Sequence, residues 1–90
     1  MARGARLKPK RLAEKLVQLR TALGLSQNEL IRALEVELTQ NRISEYETGK
    51  GEPPLPVLLR YARIAGVCID TLVDDDVDLP AKLPAKPKHS

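Results

Sequence analysis

Three glycines punctuate this chain. Gly24, Gly49 and Gly66 each follow a stretch whose apolar residues recur three or four positions apart. Glycine is the residue that most readily takes the left-handed conformation that closes a helix, and the three-to-four spacing marks one face of a helix rather than a strand. No segment alternates apolar and polar residues in a sustained way, so the fold class is all-α, built from short helices.

Each helix can be placed from its own signals. Leu12, Leu16, Leu19 and Leu23 form the apolar face of the first, with Pro9 fitting its first turn, where a missing N–H costs nothing, and Gly24 as its stop. Ser26 and Glu29 have the spacing of a capping box and open a second helix whose apolar side is Leu30, Ile31 and Leu34. Thr39 is the N-cap of a third, from Gln40 to about Thr48, with Ile43 and Tyr46 facing inward. Residues 51–54, with two prolines, read as a loop. A fourth helix starts at Pro56, and Leu55, Leu58, Leu59, Ala62 and Ala65 keep helical spacing up to Gly66. A short fifth covers about Ile69 to Val73, with Cys68 at its cap position.

At 90 residues there is room for one domain. Tyr46 and Tyr61 are the only aromatic residues, so the core must be made of Leu, Ile, Val and Ala. We read residues 1–8 as a basic flexible arm, 9–74 as the folded domain and 75–90 as a disordered tail. The tail is acidic at first and then Pro/Lys-rich, with too few apolar residues to offset its ordering entropy.

Several kinds of chemistry are excluded. The only histidine is His89 and the only cysteine is Cys68. Neither a histidine-based catalytic or metal site nor a disulfide can be assembled from them, so we expect no enzyme, no metal and no cofactor. No apolar run reaches 18 residues and the N-terminus has no signal-like segment. The expectation is a cytoplasmic protein without a membrane partner.

The formal charge of +3 is unevenly distributed. Residues 1–11 carry five cations: Arg3, Arg6, Lys8, Lys10 and Arg11. Residues 12–73 carry seven cations against eight anions. Asp74, Asp75, Asp76 and Asp78 are followed by Lys82, Lys86 and Lys88. The middle of the chain nets −1, so a nucleic-acid partner must be argued there from motif rather than charge.

The second and third helices, short and consecutive, make a helix-turn-helix candidate. The segments Leu23–Leu30 (LGLSQNEL) and Thr39–Lys50 (TQNRISEYETGK), together with Pro53, Leu58–Val67 (LLRYARIAGV) and Ile69–Leu72 (IDTL), resemble the phage-repressor-like helix-turn-helix family (Cro/CI type, or XRE family). The resemblance covers roughly residues 10–73. It implies a compact five-helix lambda-repressor-like bundle, with the helix-turn-helix at helices two and three and helix three entering the major groove.

On that helix Gln40, Asn41, Ser44 and Glu45 are the candidate base contacts. Glutamine and asparagine both donate and accept, matching the N6/N7 edge of adenine, and glutamate accepts from cytosine N4. Gln27 opens the second helix, where free N–H groups and the helix dipole favour an anion, and the resemblance matches it to a phosphate contact. Thr39, Arg42 and Lys50 complete the candidate phosphate contacts. Arg20 and Glu47 match a structural ion pair of the family.

Two features depart from the family pattern. Ile31 stands where a small residue is usual. Residues 35–38 lengthen the link between helices two and three by about two residues and contain no glycine, which lets the second helix run on another half turn.

The implied function is sequence-specific binding of double-stranded DNA by a transcriptional regulator of the repressor type. One recognition helix of about 13 Å reaches too few base pairs to be selective, so a homodimer on a palindromic operator is expected, with Val67, Ile69, Leu72 and Val73 as its surface. The chain leaves no room for a small-molecule effector domain. The alternative is a protein-interaction module on the same fold, an antitoxin-like or adaptor protein.

Overall fold

A computed structural model describes residues 9–84. Within them five helices run α1 (Leu12–Ala22), α2 (Gln27–Leu34), α3 (Gln40–Thr48), α4 (Leu55–Ala65) and α5 (Ile69–Val73), and no strand forms among the described residues. The basic arm at residues 1–8 lies outside the described residues.

The helices pack around one aliphatic core. Leu16, Leu19, Leu30, Leu34, Ile43, Tyr61, Ala65 and Leu72 are fully buried. Helix α1 rests on α3 and α5, α2 on α3 and α4, and α4 on α5. Tyr46 and Tyr61 supply the two large aromatic bodies.

The local signals place the helix ends. Ser26 Oγ accepts from the Glu29 N–H at 3.1 Å, and Glu29 Oε1 accepts from the Ser26 N–H at 2.8 Å, so the capping box is complete. Thr39 Oγ1 caps α3 through the Arg42 N–H. Gly24, Gly49 and Gly66 all have left-handed φ values of 72–80°. At Gly24 the N–H groups of Gly24 and Leu25 return to Thr21 O and Arg20 O, which satisfies the last carbonyls of α1.

The structure departs from the sequence expectations at five places. Pro9 is not in the first turn of α1: the helix starts at Leu12, after Arg11 as N-cap. Helix α2 does not run on. It ends at Leu34, and Glu35 turns the chain at φ 57°, taking the left-handed position usual for glycine. The apolar face of α4 is rotated: Val57, Leu58, Tyr61, Ala62 and Ala65 are buried, whereas Leu55 is 62% and Leu59 42% exposed.

Nor is α5 the open surface expected for a dimer. Leu72 is fully buried, and Val67, Ile69 and Val73 pack against the same core. Finally, the beginning of the presumed tail is docked on α1. The Asp75 carboxylate accepts from the Lys10 and Arg11 N–H groups at 2.9–3.1 Å, and Leu83 is buried at the edge of the core.

Candidate nucleic-acid interface

The start of α3 is fixed by three elements at once. Thr39 caps it, Ile43 and Tyr46 bury its inner face, and Gly49 ends it after nine residues. The opposite face therefore points outward, with Gln40, Asn41 and Arg42 exposed and Ser44 and Glu45 half-buried. Further along, Asn41, Ser44, Glu45, Thr48 and Lys50 line a shallow depression on this surface.

Beneath the face lies a hydrogen-bonded chain. Arg20 Nε lies 2.6 Å from Glu47 Oε2, and Arg20 Nη2 lies 3.1 Å from Glu47 Oε1. Arg20 Nη1 also donates to Leu25 O at 2.9 Å, on the corner between α1 and α2. The Glu47 side chain is only 6% exposed and that of Arg20 21%. The bidentate pairing raises the Arg20 guanidinium above its ordinary pKa, the Glu47 hydrogen bond being the largest cause. This ion pair links α1 to α3.

Gln27 extends the chain outward. Its Nε2 donates to Glu47 Oε1 at 3.1 Å, while its Oε1 accepts from Gln40 Nε2 at 3.1 Å and Ser44 Oγ at 3.3 Å. The resemblance matches Gln27 to a phosphate contact; in the structure its side chain is a strut between the buried carboxylate and two polar side chains of α3. Gln40 and Ser44 are brought together by it, whereas Asn41 has no such tether.

The cations are sparse. Arg42 Nη1 pairs with Glu45 Oε1 at 3.2 Å, with the two side chains 58% and 45% exposed. Such a pair holds weakly against competing anions. Lys50 is exposed just beyond α3, and its N–H donates to Glu45 O at 2.9 Å. Thr39 is exposed, and its hydroxyl is engaged as the cap. Pro9 and Lys10 share a small cleft with Gly49, Gly51 and Glu52, so the chain enters the fold beside the α3–α4 loop.

Sequence reasoning missed a second polar centre, at the other end of α1. Lys15 is fully buried, and its Nζ donates to Thr71 O at 2.9 Å, Asp74 O at 2.7 Å and Val77 O at 2.5 Å. Arg11 Nη1 donates to Asp75 O at 2.8 Å, and its Nη2 pairs with Asp78. A signal for Lys15 existed: it falls three residues after Leu12 and four before Leu19, on the buried stripe of α1.

Among the described residues no group of His, Cys, Asp and Glu could hold a metal ion, and no helix is long and apolar enough to cross a membrane. The sequence matches the helix-turn-helix domain family over residues 11–75, and the chain belongs to that family. No curated protein matches it.

Proposed function

We propose that this helix-turn-helix protein is a cytoplasmic transcriptional regulator of the repressor type that binds double-stranded DNA with sequence specificity. Helix α3 enters the major groove, and two copies read the halves of a palindromic operator. The observation that carries this reading is the strut Glu47–Gln27–Gln40/Ser44. It holds two neutral polar side chains in place on a rigid helix, and pre-ordered donors and acceptors of this kind suit base edges.

Gln40, Asn41, Ser44 and Glu45 then face the bases. Thr39, Arg42 and Lys50 lie at the margins of the same surface, where phosphates pass. Gln27 acts chiefly by positioning Gln40. The weak Arg42–Glu45 pair releases Arg42 to a phosphate at small cost. Cations near α3 are few, so the arm at residues 1–8, which joins the fold beside the α3–α4 loop, supplies part of the electrostatic attraction.

The test is selection from a random duplex pool. A palindromic consensus is expected. Gln40→Ala then costs about 1–3 kcal/mol at one base position per half-site and relaxes the preference there. Absence of enrichment overturns the reading. The rival reading, a protein-interaction module on this fold, draws on the exposed Leu55 and Leu59 of α4. It predicts no enriched duplex.

A further inference from the structure

Ser44 sits half-buried on α3 and lines the shallow depression it shares with Asn41, Glu45, Thr48 and Lys50. On its inner side it meets the hydrogen-bonded chain that starts at Arg20, and each link of that chain has a fixed polarity. The Arg20 guanidinium can only donate, and the Glu47 carboxylate paired with it can only accept. Gln27 must therefore turn its amide nitrogen to Glu47 Oε1, at 3.1 Å, which leaves its carbonyl Oε1 facing α3. That oxygen again can only accept. Gln40 meets it with an amide N–H at 3.1 Å, and Ser44 meets it with its hydroxyl at 3.3 Å. A hydroxyl has a single proton to give. With that proton committed to Gln27, Ser44 has lone pairs alone to offer on its outer side.

We infer that Ser44 is a specificity-determining residue that accepts a hydrogen bond from an exocyclic amine in the major groove, N4 of cytosine or N6 of adenine, and rejects guanine and thymine on the strand it faces. The inference rests on the function proposed above and gives it a chemical class of base. A serine whose hydroxyl turns freely serves a donor or an acceptor equally well. Arg20, Glu47 and Gln27 remove that freedom and act as positioning residues, through Ser44. Guanine presents O6 and N7 in the groove and thymine presents O4. Either sets an acceptor against the lone pairs of Ser44, and both groups then lose their water without gaining a proton between them. Gln40 lies one turn before Ser44, about 6 Å along the helix, against about 3.4 Å per base step. The two side chains therefore address different base pairs, and the reading by Ser44 can be measured apart from that by Gln40.

The experiment uses the full-length protein and a duplex selected from a random pool. Comparing the selections made by wild type and by Ser44→Ala identifies the base pair that Ser44 faces, as the position whose preference disappears. Two kinds of base analogue are then placed at that pair. One lacks the exocyclic amine (purine for adenine, pyrimidinone for cytosine), and the other has carbon in place of the purine N7. Loss of the amine should weaken wild-type binding about 5- to 150-fold, the range of one good base contact, and leave Ser44→Ala unaffected. Loss of N7 should affect the two proteins equally. Transposing the pair puts an acceptor opposite the hydroxyl and should weaken wild-type binding by a similar factor. Gln27→Met frees the Ser44 proton while leaving Arg20 paired with Glu47, and should recover part of that loss. Melting curves establish that both variants are folded at the binding temperature. A wild-type loss on removing N7 but not the amine overturns the inference, since Ser44 then donates. A selection left unaltered by Ser44→Ala, with wild-type binding intact, also overturns this inference alone. A transposed pair that Gln27→Met tolerates no better than wild type overturns the control of polarity by Gln27. Absence of any enriched duplex overturns both this inference and the function on which it rests.

Discussion

The Arg20 guanidinium grips both carboxylate oxygens of Glu47, Nε to Oε2 at 2.6 Å and Nη2 to Oε1 at 3.1 Å. Glu47 is nearly inaccessible, so removing it strands a guanidinium without its partner and frees Gln27 at the same time. Breaking a buried pair in this way costs about 3 kcal/mol or more. For a domain of this size that lowers Tm by at least about 12 °C. Thermal melting of Glu47→Ala checks this, and an unchanged midpoint contradicts it. DNA affinity, measured well below the melting range, should fall less than stability does.

Lys15 offers the opposite arrangement, a buried cation held by three backbone carbonyls. Lys15→Met keeps the length and apolar stem but leaves Thr71 O, Asp74 O and Val77 O without that donor. Some of the loss is offset because no ammonium need be desolvated. We expect about 2 kcal/mol of destabilisation. Faster amide exchange is expected at Lys10 and Arg11, whose N–H groups depend on the docked Asp75. Unchanged exchange at those two amides would show that Lys15 does not hold residues 74–78 against α1.

The Tyr61 hydroxyl is buried, with no hydrogen-bond partner among the described residues. Burial, with Glu47 nearby as a smaller cause, raises its pKa well above the ordinary tyrosine value. An unsatisfied buried hydroxyl is a cost that Phe does not carry. Tyr61→Phe is expected to be neutral or stabilising by up to about 1 kcal/mol, read as a rise in denaturant midpoint at constant m-value.

Glu35 holds φ 57° at the end of α2. A residue with a Cβ loses about 1–2 kcal/mol there. Glycine avoids that cost but gives the unfolded chain more freedom, at about 0.5–1 kcal/mol. Glu35→Gly should therefore stabilise by about 0.5–1 kcal/mol in chemical denaturation. Glu35→Val, β-branched in the same conformation, should destabilise.

What could be read from the chain follows the range of the interactions. Ser26 with Glu29, Thr39, Gly49 and Gly66 act within one turn, so their roles are visible in sequence order. The same holds for α5, whose bounds agree with the expectation from Ile69 to Val73. The buried face of α4 was ambiguous because Leu55, Leu58, Leu59 and Ala62 keep helical spacing as well as Val57, Leu58, Tyr61 and Ala65 do. Packing of Tyr61 against the rest of the core decides between them. Lys15 and Asp75 were missed for a related reason. A charged residue reads as a surface residue until its partner, 56 or more positions away, is placed beside it. On the outer face of α3 the strut through Gln27 was not legible, since it joins residues 13–20 positions apart.

The docking of Asp75 at the start of α1 has a pH dependence with a definite sign. Two backbone N–H groups, those of Lys10 and Arg11, donate to its carboxylate and hold its pKa below the ordinary aspartate value. Lys15 and Arg11 reinforce the shift through their charge, and Arg11 also pairs with Glu14 and Asp78. A carboxyl group whose folded pKa is depressed contributes its stabilisation in full above the unfolded value, near pH 4, and loses it as pH falls through the folded value. Wild type should therefore melt higher than Asp75→Ala at pH 6, and the gap should close as the pH is lowered towards 3. The remaining carboxylates titrate in both proteins and largely cancel in the difference. A gap that stays constant across this range would mean that Asp75 supports α1 through packing alone, without its charge.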